Sequence, residues 1–174
     1  LIRFVRGEDY FDYDGDCNLR ETRKRKDDNG NLKNAYVADI YNSELAIVGK
    51  PSASIQAKTK NTESYFRQKN NYVTFASNNI NRKDIIYGAA NNGILHAVDA
   101  DTGEEIWGFV PPLVLPKLPR VINPTLNQTS GGGSIPLFML DGSPTIHDTY
   151  FKHPITKKED WYTLLMIPYG SCLL

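Results

Sequence analysis

The sequence predicts an all-β fold, and three observations carry that expectation. Among 174 residues there are 13 glycines, 10 prolines and 10 tyrosines, a mixture that suits short strands joined by many turns. Three strand-like runs between residues 85 and 110 are separated by tight-turn sequences, which makes an antiparallel meander. The middle run is largely apolar on both faces, with Ile94 and Val98 on one and Leu95 and Ala97 on the other. A sheet buried on both faces fits one blade of a β-propeller, packed between two neighbours.

Bulk properties narrow the function. Twenty basic residues balance 20 acidic ones, so there is no basic excess to mark a nucleic-acid binder. No run approaches the roughly 20 consecutive apolar residues of a membrane-spanning helix. The first residue is Leu1 rather than Met, and the chain reads as cut from something longer, marginal in isolation. Of the two cysteines, Cys17 and Cys172, free thiols are expected ahead of a bridge.

In order along the chain, Leu1–Val5 reads as a strand, followed by an acidic stretch from Glu8 to Glu21 and a basic one from Arg20 to Lys26. Asp27-Asp28-Asn29-Gly30-Asn31 is a turn signal. Ala35–Tyr41 and Leu45–Val48 read as strands, closed by Gly49-Lys50-Pro51. The polar segment 52–71 holds at most one helical turn near Ser64–Gln68, anchored by Tyr65 and Phe66. Tyr72–Ala76, Ile85–Ala89, Ile94–Asp99 and Glu105–Val110 read as strands. Asn91-Asn92-Gly93 and Asp101-Thr102-Gly103 supply the turns between the last three, with Leu95 and Trp107 expected to be buried. Pro111-Pro112 ends strand pairing, because neither residue offers an amide hydrogen. Leu113–Leu118 is a short helix or an extended segment, and 119–134, ending in Ser130-Gly131-Gly132-Gly133-Ser134, is a surface loop. Strands resume at Leu137–Leu140, Pro144–Thr149 and Trp161–Ile167. The organisation expected is an acidic loop over 9–21, a blade meander over 72–110 and the start of a next blade over 137–167.

The one constellation with metal chemistry is Asp12-Tyr13-Asp14-Gly15-Asp16-Cys17-Asn18-Leu19-Arg20-Glu21. With Gly15 as the sharp-turn glycine of a twelve-residue calcium loop, Asp12, Asp14, Asp16, Asn18 and Glu21 fall at positions 3, 5, 7, 9 and 12. Asp16 would then use its backbone carbonyl and Glu21 both carboxylate oxygens. Tyr10 stands where the first ligand is normally Asp, with Asp9 beside it, and the flanks do not read as helices. The alternative is a solvated acidic loop balanced by Arg20, Arg23 and Lys24. Ca²⁺ is the favoured reading, because carboxylates this dense repel one another unless a cation joins them.

Other candidates are weaker. His96, mid-strand between apolar residues, is expected to be a hydrogen-bonded core histidine rather than a ligand. His147 and His153 lack a zinc-ligand partner at the right spacing. Ser143 lacks the flanking glycines of a nucleophile elbow, and the glycine-rich 130–134 lacks the lysine of a phosphate loop. Asn127-Gln128-Thr129 is a formal glycosylation sequon, without meaning in a bacterial protein. The run Arg20–Lys26 reads as a solvated face. No catalytic residue is assigned.

The pattern Ala97-x-Asp99-x-x-Thr102-Gly103-x-x-x-Trp107 resembles the blade signature of quinoprotein-like propellers. There Asp and Thr-Gly shape a tight turn and Trp docks between blades. A broader resemblance runs through Arg6–Asp9, Ala38–Ser43, Val48–Pro51, Tyr87–Asp99, Phe109–Pro112, Val114–Leu118, Asp141–Thr145 and Trp161-x-Thr163. In that order these blocks are similar to the PilC/PilY type of pilus proteins. The chain departs from the pattern at Ala38, at Leu45, and over Met166–Cys172. The resemblance implies a bacterial type IV pilus assembly and adhesion protein at the cell surface, pilus tip or outer membrane. It would work with pilin, minor pilins and a host or abiotic surface, serve twitching motility, and be modulated by calcium. The competing readings are a pyrroloquinoline-quinone-dependent dehydrogenase propeller and a non-enzymatic outer-membrane assembly propeller. A single blade signature cannot frame an axial quinone, so the dehydrogenase reading predicts an activity that this chain is not expected to have.

Overall fold

The computed structural model describes residues 2–10, 12, 15–38, 40–121, 140 and 142–169. Its strands form three antiparallel sheets. The largest has four strands in the order β3 (Ala46–Val48), β4 (Ile85–Ala89), β5 (Leu95–Asp99), β6 (Glu105–Phe109). Two hairpins, β1 (Lys24–Lys26) with β2 (Leu32–Asn34) and β7 (Thr145–Lys152) with β8 (Glu159–Met166), make the other two. The fold is mostly β, as the sequence implied.

The meander follows the expected register. Tyr87 faces Ala97 across β4–β5, and Ala97 faces Trp107 across β5–β6. Gly93 and Gly103, at φ +84° and +73°, take the left-handed conformations the two turns need. Asp99 Oδ1 accepts the N–H groups of Asp101 at 3.0 Å and Thr102 at 3.2 Å, and the Gly103 N–H reaches the Asp99 carbonyl at 2.9 Å. Those backbone bonds, first that of Asp101, and then Lys83 hold the Asp99 carboxyl below its ordinary value of 3.8.

Four local expectations are corrected. Residues 2–5 form a helical turn, α1, not a strand. It is capped by Gly7 at φ +79° and places Phe4 in the core beneath the Arg23 guanidinium. Ala35–Tyr41 forms no strand among its described residues. Arg23 donates from Nε to the Ala35 carbonyl and from Nη2 to that of Tyr36, taking acceptors that a strand ladder would use. Tyr72–Ala76 lies in a helix, α3 (Tyr72–Asn78), after α2 (Glu63–Lys69). The fourth strand of the main sheet is therefore β3, not a run starting at residue 72. Finally, Leu95 is 1 % exposed but Trp107 is 40 % exposed, because β6 is the outer strand and nothing described covers its far face.

The 113–118 segment adopts a 3₁₀ turn, Leu115–Lys117, leading into α4 (Leu118–Val121). That helix takes the first residues of the stretch read as a surface loop; the glycine-rich 130–134 and the 137–139 part of the expected strand lie outside the described residues. One core joins these elements: Phe4 from α1, Ala89 and Leu95 from the sheet, and Val114, Leu118 and Leu140.

A second packing centre forms around Trp161 of β8. Its ring meets Tyr72 at 4.8 Å, Tyr150 at 5.5 Å and Phe66 at 6.0 Å, each edge to face. Such pairs add to what burial alone contributes. Urea denaturation should therefore separate the two tryptophans. Trp161→Ala should cost about 3–5 kcal/mol, whereas Trp107→Ala, on the open face, should cost much less. As pH falls below 3.8 toward the lowered folded value, the stability contributed by the Asp99 turn should be lost, and Asp99→Asn should flatten that acid limb.

Candidate functional site

The acidic loop is held at its ends and organised within by its own backbone. Asp9 N–H donates to the Glu21 carbonyl at 2.8 Å, and Arg23 N–H to the Gly7 carbonyl at 2.7 Å. Gly15 lies at φ +72°, in the left-handed turn conformation that the calcium-loop alignment requires of it; Asp12 at +54° and Cys17 at +65° share that region. Asp12 Oδ1 accepts from Cys17 N–H at 3.0 Å, Asp16 Oδ1 from Asn18 N–H at 2.7 Å, and Asn18 Oδ1 from Arg20 N–H at 3.4 Å. Glu21 pairs through Oε2 with Lys24, while its Oε1 is buried with no hydrogen bond. Among the described residues, no three His, Cys, Asp or Glu side chains converge on a point that would hold a metal. Asp14, the second ligand of the predicted set, lies outside the described residues. Cys17 is a free, exposed thiol, and Cys172 also lies outside them.

The remaining sequence candidates have structural roles. His96 is buried and its Nδ1 lies 2.6 Å from Glu105 Oε1. His153 Nδ1 accepts the N–H groups of Ile155 and Thr156 at the β7–β8 hairpin tip. Ser143 Oγ accepts from Glu44 N–H at 3.0 Å, while Ser43 Oγ donates to the Gly142 carbonyl. Ser143 and Ser43 thus clamp two distant loops together.

Two features escaped the sequence reading because residues 72–76 looked like a strand. The first is a polar chain. Tyr72 Oη donates to Asp148 Oδ2 at 2.5 Å, and Thr163 Oγ1 to Asp148 Oδ1 at 2.6 Å. Arg82 Nη1 then donates to Thr163 Oγ1 at 2.8 Å, and Arg82 Nε to the Gly49 carbonyl at 2.6 Å. The second is an open groove of about 550 Å³ between α3 and the β7–β8 hairpin, lined by asparagines and aromatic rings. The signal for both was Tyr72, Phe75, Ala76 and Asn79, which repeat at i, i+3, i+4 and i+7, a helical period.

Comparison with curated proteins gives several similar sequences. The chain is 34 % identical over 146 residues to the type IV pilus biogenesis factor PilY1 of Pseudomonas aeruginosa strain PAO1, which spans 84 % of this chain and 11 % of that protein. It is 34 % identical over 143 residues to the PilY1 of strain PAK. It is 38 % identical over 87 residues, half of this chain, to the PilY1 homolog of Xylella fastidiosa strain Temecula1. The chain thus spans about a tenth or less of the length of these curated relatives. No family model matches it, and no solved structure does.

Burial first, and then the hydrogen bond and charge of Asp148, push the Tyr72 phenol from 10.0 up to about 12. The fold favours the neutral phenol. Stability from this site is therefore complete below pH 10 and is lost as pH rises through about 12. In Asp148→Asn the burial contribution stays and the carboxylate contribution goes. Phenolate absorbance should place Tyr72 between 10.0 and the wild-type value; an unchanged titration would mean that Asp148 has no hold on the phenol.

Proposed function

The chain belongs to the PilY1-type family of type IV pilus biogenesis factors, and we propose that it serves type IV pilus assembly at the bacterial surface as a non-catalytic binding and packing module. The observation that carries this reading is the 34 % identity along 146 residues, which runs through the meander rather than through one short motif. Adhesion to a host or abiotic surface, support of twitching motility, and contact with pilin and minor pilins are the finer parts of the same reading. We take the four-stranded sheet as one propeller blade. Ile106, Trp107 and Phe109 are 48, 40 and 47 % exposed on the outer strand β6, an apolar patch of the kind that a neighbouring blade covers.

Ca²⁺ modulation belongs to this proposal too. Asp12, Asp14, Asp16, Asn18 and Glu21 would hold the ion, which would supply positive charge to a loop crowded with carboxylates. Two observations support the fit: the left-handed Gly15 turn and the buried Glu21 Oε1, which has no hydrogen bond. With Tyr10 at the first ligand position, the affinity expected is that of an extracellular module, roughly 10⁻⁴–10⁻³ M. Titration calorimetry on the full-length protein should give saturable heat in that range, and Glu21→Ala should remove most of it. Identical traces, or no heat at millimolar Ca²⁺, would return the loop to a solvated acidic face.

The assembly role is tested in the bacterium. Deleting the gene should abolish surface pili and twitching, and wild-type complementation should restore both. Complementation with Ile106→Glu/Phe109→Glu should fail if β6 is covered by another blade. A deletion strain with normal piliation would falsify the assembly reading.

A further inference from the structure

We propose that the groove between α3 and the β7–β8 hairpin binds a neutral oligosaccharide. The groove, about 550 Å³, is lined by asparagines at both ends of α3, Asn70 and Asn71 just before it, and Asn78, its last residue, with the C-cap Asn79. Seven helical residues put the two pairs about 10 Å apart. Phe75 and Tyr150, both half-buried, line the same groove in front of the buried Trp161, so amide groups flank a partly open aromatic wall.

The asparagines divide by task. Asn70 and Asn79 donate their amide nitrogens to the Phe66 and Phe75 carbonyls at 2.9 and 2.8 Å, tying off the ends of α2 and α3. Each is thereby fixed, with its Oδ1 left as an acceptor. Asn71 occupies the left-handed conformation at φ +54° and makes no side-chain cap bond. Among the described residues, neither Asn71 nor Asn78 makes a side-chain hydrogen bond, and both are exposed, as is Thr74 between them. An amide offers donors and an acceptor together, and a hydroxyl does the same. These are the matched groups that a sugar ring, itself donor and acceptor at every hydroxyl, needs.

The aromatic residues are held before any ligand arrives. Trp161 donates through Nε1 to the Asn70 carbonyl at 2.7 Å, and its ring packs on Tyr150 at 5.5 Å and Phe75 at 6.4 Å. Rigid aromatic area costs little ordering entropy on binding. The charge of the groove argues against an ionic ligand. Among the described residues that line it, Lys158 is paired with Asp160, which leaves Glu159 as the one unpaired carboxylate and no free cation. A polyanion would meet net negative charge, so a neutral saccharide fits better than an acidic one.

This inference goes beyond the pilus-assembly reading and stands or falls separately from it. The probes are maltotriose, cellotriose and chitotriose, with a galacturonate trimer and a Gly-Ser octapeptide as comparators, observed by saturation-transfer NMR against the full-length protein. At least one neutral trimer should bind saturably, and Asn71→Gly/Asn78→Ala should weaken it by about tenfold or more, as loss of one or two net hydrogen bonds implies. Glycine keeps the left-handed backbone at residue 71, and both positions are exposed, so circular dichroism and pilus assembly should be unchanged in that variant. Absence of binding by every neutral trimer, binding that survives the double substitution, or stronger binding of the acidic trimer or the peptide would each overturn the proposal.

Discussion

One carboxylate holds the separate pieces of this structure in register. Asp148 on β7 accepts from Tyr72 on α3 with one oxygen and from Thr163 on β8 with the other. Thr163 in turn accepts from Arg82, whose guanidinium reaches the Gly49 carbonyl just past β3. A helix, a hairpin and the edge of the main sheet are thereby tied through partly buried groups, where an unpaired member costs more than a pair contributes. The Trp161 aromatic cluster lies beside this chain and draws on the same residue, Tyr72. The groove beside α3 exists because these two sets of contacts fix the helix against the hairpin.

The main sheet is finished on one side and open on the other. β3 lies beside the β7–β8 hairpin, whereas β6 presents Ile106, Trp107 and Phe109 outward. An apolar outer strand of that kind invites edge or face association. The chain corresponds to about a tenth of the length of its curated relatives.

The acidic loop has a different logic. Its side-chain oxygens are distributed along the loop's own N–H groups, Asp12 to Cys17, Asp16 to Asn18, and Asn18 to Arg20. Asx-type turns of this sort give the described part of the loop a definite path. Clamping at the base comes from backbone bonds between residues 7–9 and 21–23, which connect the loop to the Phe4 end of the core through Arg23.

Local patterns were enough to place the meander, its two turns and the turn at Asp27–Asn31, although not the strands β1 and β2 that flank it. Gly93, Gly103 and the Asp99 carboxylate act within four or five residues of themselves, and so their chemistry is written in the sequence around them. The burial of His96 and Leu95 was equally legible, because a strand flanked by two others leaves little choice. Tertiary contacts decided the rest. Ile2–Val5 and Tyr72–Asn78 carry β-branched and aromatic residues that read as strands, yet each coils because Phe4 and Tyr72 bury best from a helix. Ala35 and Tyr36 lie outside any ladder because a distant arginine claims their carbonyls. The groove was invisible in the sequence for the same reason: its asparagines and aromatic rings come from segments some 80 to 90 residues apart, and only the Asp148 and Trp161 contacts bring them to one place.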